Sequence, residues 1–167
     1  RMLLGERGES ALEQGRDPGK KAAVLLNEAL KRVEKLDMRE ARAILQQVLD
    51  IEPNNRTALT QMFHVDKVNP NSDDFHTSTR VLLSYLVNDR QAHREALAVY
   101  REYIRLSSCP RLPLPLFFAL GSFFAATGHL KDAEKIMGFL LKRKPNHAKM
   151  PEGLLHVARA CLKDRLN

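Results

Sequence analysis

The sequence lacks a hydrophobic run long enough to cross a membrane. Its longest apolar stretches, residues 81–87 and 114–126, fall short of the roughly 20 apolar residues that a transmembrane helix needs. The chain also opens without the pattern of a secretory signal peptide. Because it starts at Arg1 rather than at methionine, we expect a trimmed piece of a longer protein. We predict a cytoplasmic domain, with tethering to a membrane through missing flanking sequence as the alternative.

Cysteines and catalytic motifs are also scarce. Cys109 and Cys161 are isolated and lack the spacing of a metal or redox site, which favours free thiols in a reducing compartment. No phosphate-binding glycine loop, zinc-protease motif or nucleophile elbow occurs. His76 follows Asp73 and Asp74, but the start of a helix explains this cluster more simply than a metal or acid–base site. We therefore predict a protein that is not an enzyme and binds no cofactor or metal.

The charge is unbalanced toward one end of the chain. The formal net charge is +7, and residues 131–167 hold nine Lys or Arg residues against four acidic ones. Nucleic acid, anionic lipid or an acidic protein segment would be attracted by such a surplus. Basic residues near the end of a helix also complement its dipole, which explains part of the surplus without a ligand.

What the sequence does contain is helical periodicity from Asp17 onward. Apolar residues recur at the spacing of one helix face, and no segment alternates as a β-strand would. Asp17, Asp37 and the polar stretch 69–74 supply the residues that start helices, and Pro53 stops one. The sequence therefore predicts an all-α protein.

One spacing occurs twice. Ala41 precedes Pro53 by twelve positions, Ala133 precedes Pro145 by twelve, and the two pairs lie 92 positions apart. Each alanine follows a tight turn, and each proline stops the helix that begins after that turn. This spacing predicts a repeated helical hairpin.

These residues resemble the tetratricopeptide repeat, a helical hairpin of about 34 residues. Residues 114–147 carry the most complete match: Phe117, Leu120, Gly121, Phe124, Gly128, Ala133, Met137 and Pro145. Residues 22–55 and 77–110 match in part. The resemblance implies that Gly121 lets the two helices of its hairpin approach closely.

The resemblance implies antiparallel hairpins stacked as a short solenoid within a single domain over residues 17–167, after a lead-in or linker at 1–16. The expected parts are units at about 22–55, 77–110 and 114–147, an inserted helix and turn at 56–76, and a capping helix at 148–167.

In this family the first helix of each hairpin lines a concave binding surface. Transferring that register, together with one stripe of the last helix, predicts this partner-binding set: Leu26, Asn27, Leu30, Val81, Tyr85, Asn88, Phe118, Ser122, Lys149, His156 and Arg159. The set describes an apolar groove with a basic end, suited to a peptide or helix with an acidic flank or a C-terminal carboxylate. The alternative is that these side chains only pack the array.

We therefore predict a non-catalytic scaffold that binds a protein partner. Two alternatives remain open: a helical-repeat protein that binds nucleic acid through its basic C-terminal region, and an accessory domain of a larger membrane-associated protein. The residues of a chaperone-type carboxylate clamp are absent, so we do not expect that kind of co-chaperone.

Overall fold

The computed structural model describes residues 17–143, 146 and 150–165, and every regular element in these residues is helical. They form eight α-helices: α1 (Pro18–Glu34), α2 (Met38–Ile51), α3 (Arg56–Asp66), α4 (Asp73–Leu86), α5 (His93–Leu106), α6 (Leu114–Ala126), α7 (Leu130–Arg143) and α8 (Met150–Arg165). A short 3₁₀ helix, Arg90–Ala92, precedes α5. The prediction of an all-α protein is confirmed. None of the described helices combines the length and the apolar character that crossing a membrane requires.

The helices belong to two compact units that divide between Asn69 and Pro70. The first unit contains α1 to α3, and the second contains α4 to α8. The predicted lead-in at 1–16 and the proline stop at Pro145 lie outside the described residues. The division of the chain into 34-residue units stays a prediction.

Polar side chains start three helices where the sequence predicts a start. Asp17, Asp37 and Ser72 each accept a hydrogen bond from a backbone N–H in the first turn of the helix that follows, at 3.0, 3.4 and 3.1 Å. Each bond satisfies one of the amides that the helix itself leaves without a partner. A cap of this kind contributes about 1 kcal/mol to stability.

Two hairpins, α1–α2 and α6–α7, share the same turn. Each passes through a residue in the left-handed region, Leu36 at φ 61° and Gly128 at φ 85°. The N–H of the following residue then donates to the carbonyl five positions back, at 2.9 Å in the first hairpin and 2.7 Å in the second. The two turns are 92 positions apart, the interval that separates Ala41 from Ala133. The turn therefore repeats at the interval found in the sequence.

Small side chains dominate the core of the first unit. Its buried cluster consists of Ala22, Ala29, Ala41, Leu45, Val48, Ala58, Met62 and Val65. Alanine at four of these positions lets the helices pack closely along their length. Asp66, buried at the end of α3, accepts a hydrogen bond from the Arg42 guanidinium of α2 at 2.8 Å.

Aromatic rings dominate the core of the second unit. The buried rings are Phe75, Tyr100, Tyr103, Phe117, Phe118, Phe123 and Phe124. Between α6 and α7, a Cβ at Gly121 would collide with the terminal methyl of Met137. Glycine at position 121 therefore leaves room for the Met137 side chain of the facing helix.

Candidate partner-binding site

The predicted partner-binding residues are divided between the two units. In the first unit, Leu26 and Leu30 are half-buried, with Leu26 packed against the alanine-rich core, and Asn27 is exposed. In the second unit, Val81 is exposed and Tyr85 is half-buried on α4. Because these residues belong to two separate units, a groove shared by all of them stays a prediction.

The side chain of Asn88 has a local role. It is exposed and donates a hydrogen bond to the Ser84 carbonyl at 2.8 Å, just after α4 ends. This bond satisfies one of the last carbonyls of the helix, which have no partner within it. The contact accounts for an asparagine at this position without a ligand.

Phe118 and Ser122 do come together with the last helix. They line a pocket of about 210 Å³ with Glu152 and Gly153 of α8. The charged residue at this pocket is acidic, whereas the sequence predicted a basic end.

The basic end itself stays a prediction. His156 and Arg159 are exposed on α8, and Lys149 lies outside the described residues.

A larger cleft lies elsewhere in the second unit, between α5 and α7. Its volume is about 580 Å³, within the range of about 300–1,000 Å³ typical of ligand sites. Its lining consists of Tyr100, Arg101, Ile104, Arg105, Pro110, Phe117, Lys131, Asp132, Lys135 and Phe139. We call it the α5–α7 cleft. No member of the predicted set belongs to it.

Helical spacing explains how the two walls form. The α5 residues come as two adjacent pairs one turn apart, Tyr100 with Arg101 and Ile104 with Arg105, so that they share one face. On α7, Lys131, Lys135 and Phe139 follow one another at intervals of four. We call the aromatic and aliphatic part of this lining the floor, and its exposed arginines and lysines the rim.

A tyrosine holds the loop that closes one side. The backbone N–H of Arg111 donates to the Tyr103 hydroxyl at 2.8 Å, next to Pro110 of the cleft. The same hydroxyl lies 2.8 Å from Nδ1 of His76. Burial, followed by the nearby Arg111 charge, lowers the pKa of His76, while Asp73 opposes the shift. A neutral His76 ring can accept a hydrogen bond from the Tyr103 hydroxyl at Nδ1, so His76 helps to hold the tyrosine that binds the loop.

Side chains of α5 contact the second hairpin at two places. The Arg101 guanidinium donates two hydrogen bonds to the Asp132 carboxylate, at 3.0 and 2.7 Å. This pairing holds the pKa of Asp132 below its usual value, although burial acts in the opposite direction. Two turns earlier on α5, Nδ1 of His93 lies 2.8 Å from Nε2 of His129. Long side chains thus span the separation between these helices, and the cleft lies beside them.

The cations of the rim differ in their partners. Arg105 forms a bidentate pair with Glu102 of its own helix, at 2.9 and 3.1 Å. Among the described residues, neither Lys131 nor Lys135 forms a salt bridge. Beyond Phe139, the Arg143 guanidinium lies over that ring at 4.9 Å from its centroid.

The floor offers packing rather than proton transfer. Burial, with a smaller contribution from Asp132, raises the pKa of Tyr100 to about 12. Its phenol therefore stays neutral near pH 7, and its ring packs against Phe124 at a centroid distance of 5.6 Å. Within residues 17–143 and 150–165, no cluster of three or more His, Cys, Asp or Glu residues is arranged to hold a metal ion. The cleft can bury an apolar side chain and pair with carboxylates.

No family model, no curated protein and no solved structure matches the chain.

Sequence reasoning missed the α5–α7 cleft, although α7 carries a signal for it. Lys131, Lys135, Phe139 and Arg143 recur every four residues, which places two exposed lysines in line with an aromatic ring. The family resemblance directed the prediction to the first helix of each hairpin. The cleft is lined mainly by α5 and α7, the second helices of the predicted units.

Proposed function

We propose that this chain is a non-catalytic protein-interaction domain that binds a peptide or helical segment of a partner in the α5–α7 cleft. The observation that carries the proposal is the combination of an apolar floor and a cationic rim in one cleft of about 580 Å³. Recognition sites of this type bury an apolar anchor and orient the ligand by polar groups at the edge.

The floor provides the energy of binding. Ile104 is 38% exposed and Phe139 is half-buried, so both offer apolar surface that a ligand can cover. Covering apolar surface contributes roughly 25 cal/mol per Å² before the cost of ordering the ligand is subtracted. One or two leucine-sized anchors therefore suit a ligand of moderate affinity.

We also propose that the hairpins are related to tetratricopeptide repeats. The turn repeated at Leu36 and Gly128, and the tight packing at Gly121, support this relation. The proposed ligand site nevertheless differs from the groove predicted by resemblance, which used α4 residues such as Tyr85. Single substitutions separate the two surfaces.

The test is a selection of peptides of about 14 residues, long enough for a helix of about 20 Å, from a random display library on the whole chain. Recovered peptides are labelled, and their affinities are measured by fluorescence anisotropy. Ile104→Glu places a charge on the cleft floor, and we expect at least a tenfold loss of affinity, about 1.4 kcal/mol. Val24→Glu is the matched control, because Val24 is 66% exposed on α1.

Tyr85→Ala completes the set of variants. We expect it to leave binding unchanged if the α5–α7 cleft holds the peptide. A loss with Tyr85→Ala, and none with Ile104→Glu, would move the site to the groove predicted from sequence. Failure to recover any peptide above background would count against the proposed function. Circular dichroism melts of each variant verify that it is folded.

A further inference from the structure

We infer that the segment held by the α5–α7 cleft is acidic, and that Lys131 and Lys135 are the residues that select it. The inference rests on the proposed function and adds the chemistry of the partner. It concerns the side of the cleft formed by α7.

The cations around the cleft differ in whether they already form a salt bridge. Arg101 is occupied by Asp132 and Arg105 by Glu102, each through two hydrogen bonds. A carboxylate ligand would have to compete with these bidentate pairs. Lys131 and Lys135 are exposed and form no salt bridge with any described residue. Lys135 lies near enough to Asp132 to help lower the pKa of that carboxyl, but this carboxylate is already paired with Arg101. The positive charge of the rim that no salt bridge compensates is therefore on the two lysines.

The spacing of the two lysines suits a ligand whose carboxylates recur at a regular interval. They lie one helical turn apart, about 6 Å along the axis of α7. Phe139 follows one turn later, and Arg143 stacks on it. Positive charge and apolar surface thus run along one side of the cleft. A segment with one or two aliphatic anchors, and with carboxylates about one turn apart beside them, complements both features.

The same features favour a protein segment over nucleic acid. Proteins that bind single strands expose aromatic rings for base stacking and make several phosphate contacts. Here Phe117 and Tyr100 are only 2% and 9% exposed, and the half-buried Phe139 ring has the Arg143 guanidinium over it. The accessible floor also includes the aliphatic Ile104. A covered ring provides no stacking face, whereas an aliphatic floor suits a leucine-like anchor.

The experiment compares each recovered peptide with a version in which every Asp and Glu is replaced by Asn and Gln. Binding to the whole chain is measured by fluorescence anisotropy at low salt. We expect the acidic version to bind about tenfold more tightly, the effect of two exposed ion pairs of up to about 0.7 kcal/mol each. We expect this preference to fall below threefold in the double variant Lys131→Gln/Lys135→Gln, and to shrink with added salt.

The matched control is Lys20→Gln/Lys21→Gln, which removes two exposed lysines from α1 and leaves the cleft unchanged. We expect it to keep the full preference. A preference lost equally in both double variants would assign the effect to net charge and overturn the selective role of Lys131 and Lys135.

Two further outcomes distinguish this inference from the proposed function. Peptides that bind equally in acidic and amide versions, and are lost with Ile104→Glu, would leave the interaction function in place and overturn the acidic partner. A single-stranded oligonucleotide that displaces the peptides and loses affinity in Lys131→Gln/Lys135→Gln would overturn it in favour of nucleic acid.

Discussion

The hairpins α1–α2 and α6–α7 show how one backbone plan accommodates two different cores. At equivalent positions, Ala29 and Leu45 of the first hairpin correspond to Gly121 and Met137 of the second, and all four are buried. In the second hairpin the longer side chain, Met137, is accompanied by the smaller residue, Gly121. The two hairpins therefore differ in shape at this contact: the unbranched Met137 side chain occupies the space that a Cβ at position 121 would need.

The residue that follows the left-handed position makes a different contact in each hairpin. Asp37 caps α2 through its carboxylate, whereas the equivalent residue of the second hairpin, His129, contacts His93 of α5. The same position therefore forms a hydrogen bond within its own hairpin in the first case and contacts a neighbouring helix in the second. The second hairpin is thereby connected to the helix that forms the other wall of the cleft.

The largest expected effect comes from Gly121→Leu, which overpacks the second hairpin. Its Cβ would meet Met137 on the facing helix, and we expect the free energy of unfolding to fall by about 3 kcal/mol. Urea denaturation measures it. Gly138→Leu is the control, because a Cβ there meets nothing within 4 Å. Equal unfolding midpoints for the two variants would contradict the packing described for Gly121.

A smaller effect is expected when the second hairpin receives the residues of the first. Gly121→Ala alone should cost at most about 1 kcal/mol, since the added methyl displaces only the flexible end of the Met137 side chain and the higher helix propensity of alanine offsets part of the strain. Adding Met137→Leu shortens that side chain, and we expect the double variant to regain most of the loss. A double-mutant cycle by urea denaturation measures the coupling. Additive losses would show that the two positions do not compensate each other.

The histidine contact predicts a dependence on pH. Burial, followed by the nearby His93, lowers the pKa of His129; Arg101 and Arg94 add to the shift, and Asp132 opposes it. Below the ordinary pKa of 6.5, the unfolded chain therefore binds a proton that the folded protein does not yet bind.

Stability should accordingly be complete above pH 6.5 and should decrease as the pH falls through the lowered pKa of His129. His76, whose pKa burial also lowers, contributes in the same direction. Melting temperatures between about pH 7.5 and 5 measure the decrease. We expect His129→Gln to flatten the profile and His156→Gln, an exposed histidine of α8, to leave it unchanged. Parallel profiles for both variants would remove His129 as a cause.

The smallest expected effects concern the left-handed turn residues. Leu36 has a side chain where the second hairpin has Gly128, and left-handed backbone costs a residue with a Cβ about 1 kcal/mol. Leu36→Gly should therefore stabilise the protein by up to about 1 kcal/mol, and Gly128→Ala should destabilise it by a similar amount. Thermal melts measure both changes. Shifts of the same sign in the two variants would show that the turns are not equivalent.

Local features of the fold were predictable from the sequence. Capping residues such as Asp17 and Ser72 lie where their side chains reach the first turn of a helix, so the helix starts follow from short-range chemistry. Gly121 was identified through the resemblance to the tetratricopeptide repeat, in which a glycine at this position lets two helices approach closely. Periodicity was less reliable for individual side chains: Val24 follows the apolar spacing of α1 but is 66% exposed.

The α5–α7 cleft was not predictable in the same way. Its walls are linked by Arg101 and Asp132, which are 31 residues apart, and its loop by Arg111 and Tyr103. Which arginine pairs with which carboxylate depends on tertiary distances that no local pattern encodes. The absence of a salt bridge from Lys135 depends on the same pairing, since the Asp132 carboxylate near it is paired with Arg101.

The short turn at Leu36 has a consequence for the order in which the protein folds. Only three residues separate α1 from α2, so closing this hairpin costs little chain entropy and its contacts are local in sequence. Contacts between His76 and Tyr103, 27 residues apart, and between Arg101 and Asp132 require a much longer segment to be available. During synthesis from the N-terminus, the first hairpin can form early. The α5–α7 cleft can be completed only after α7 has emerged, so this site would form later during synthesis than the first hairpin.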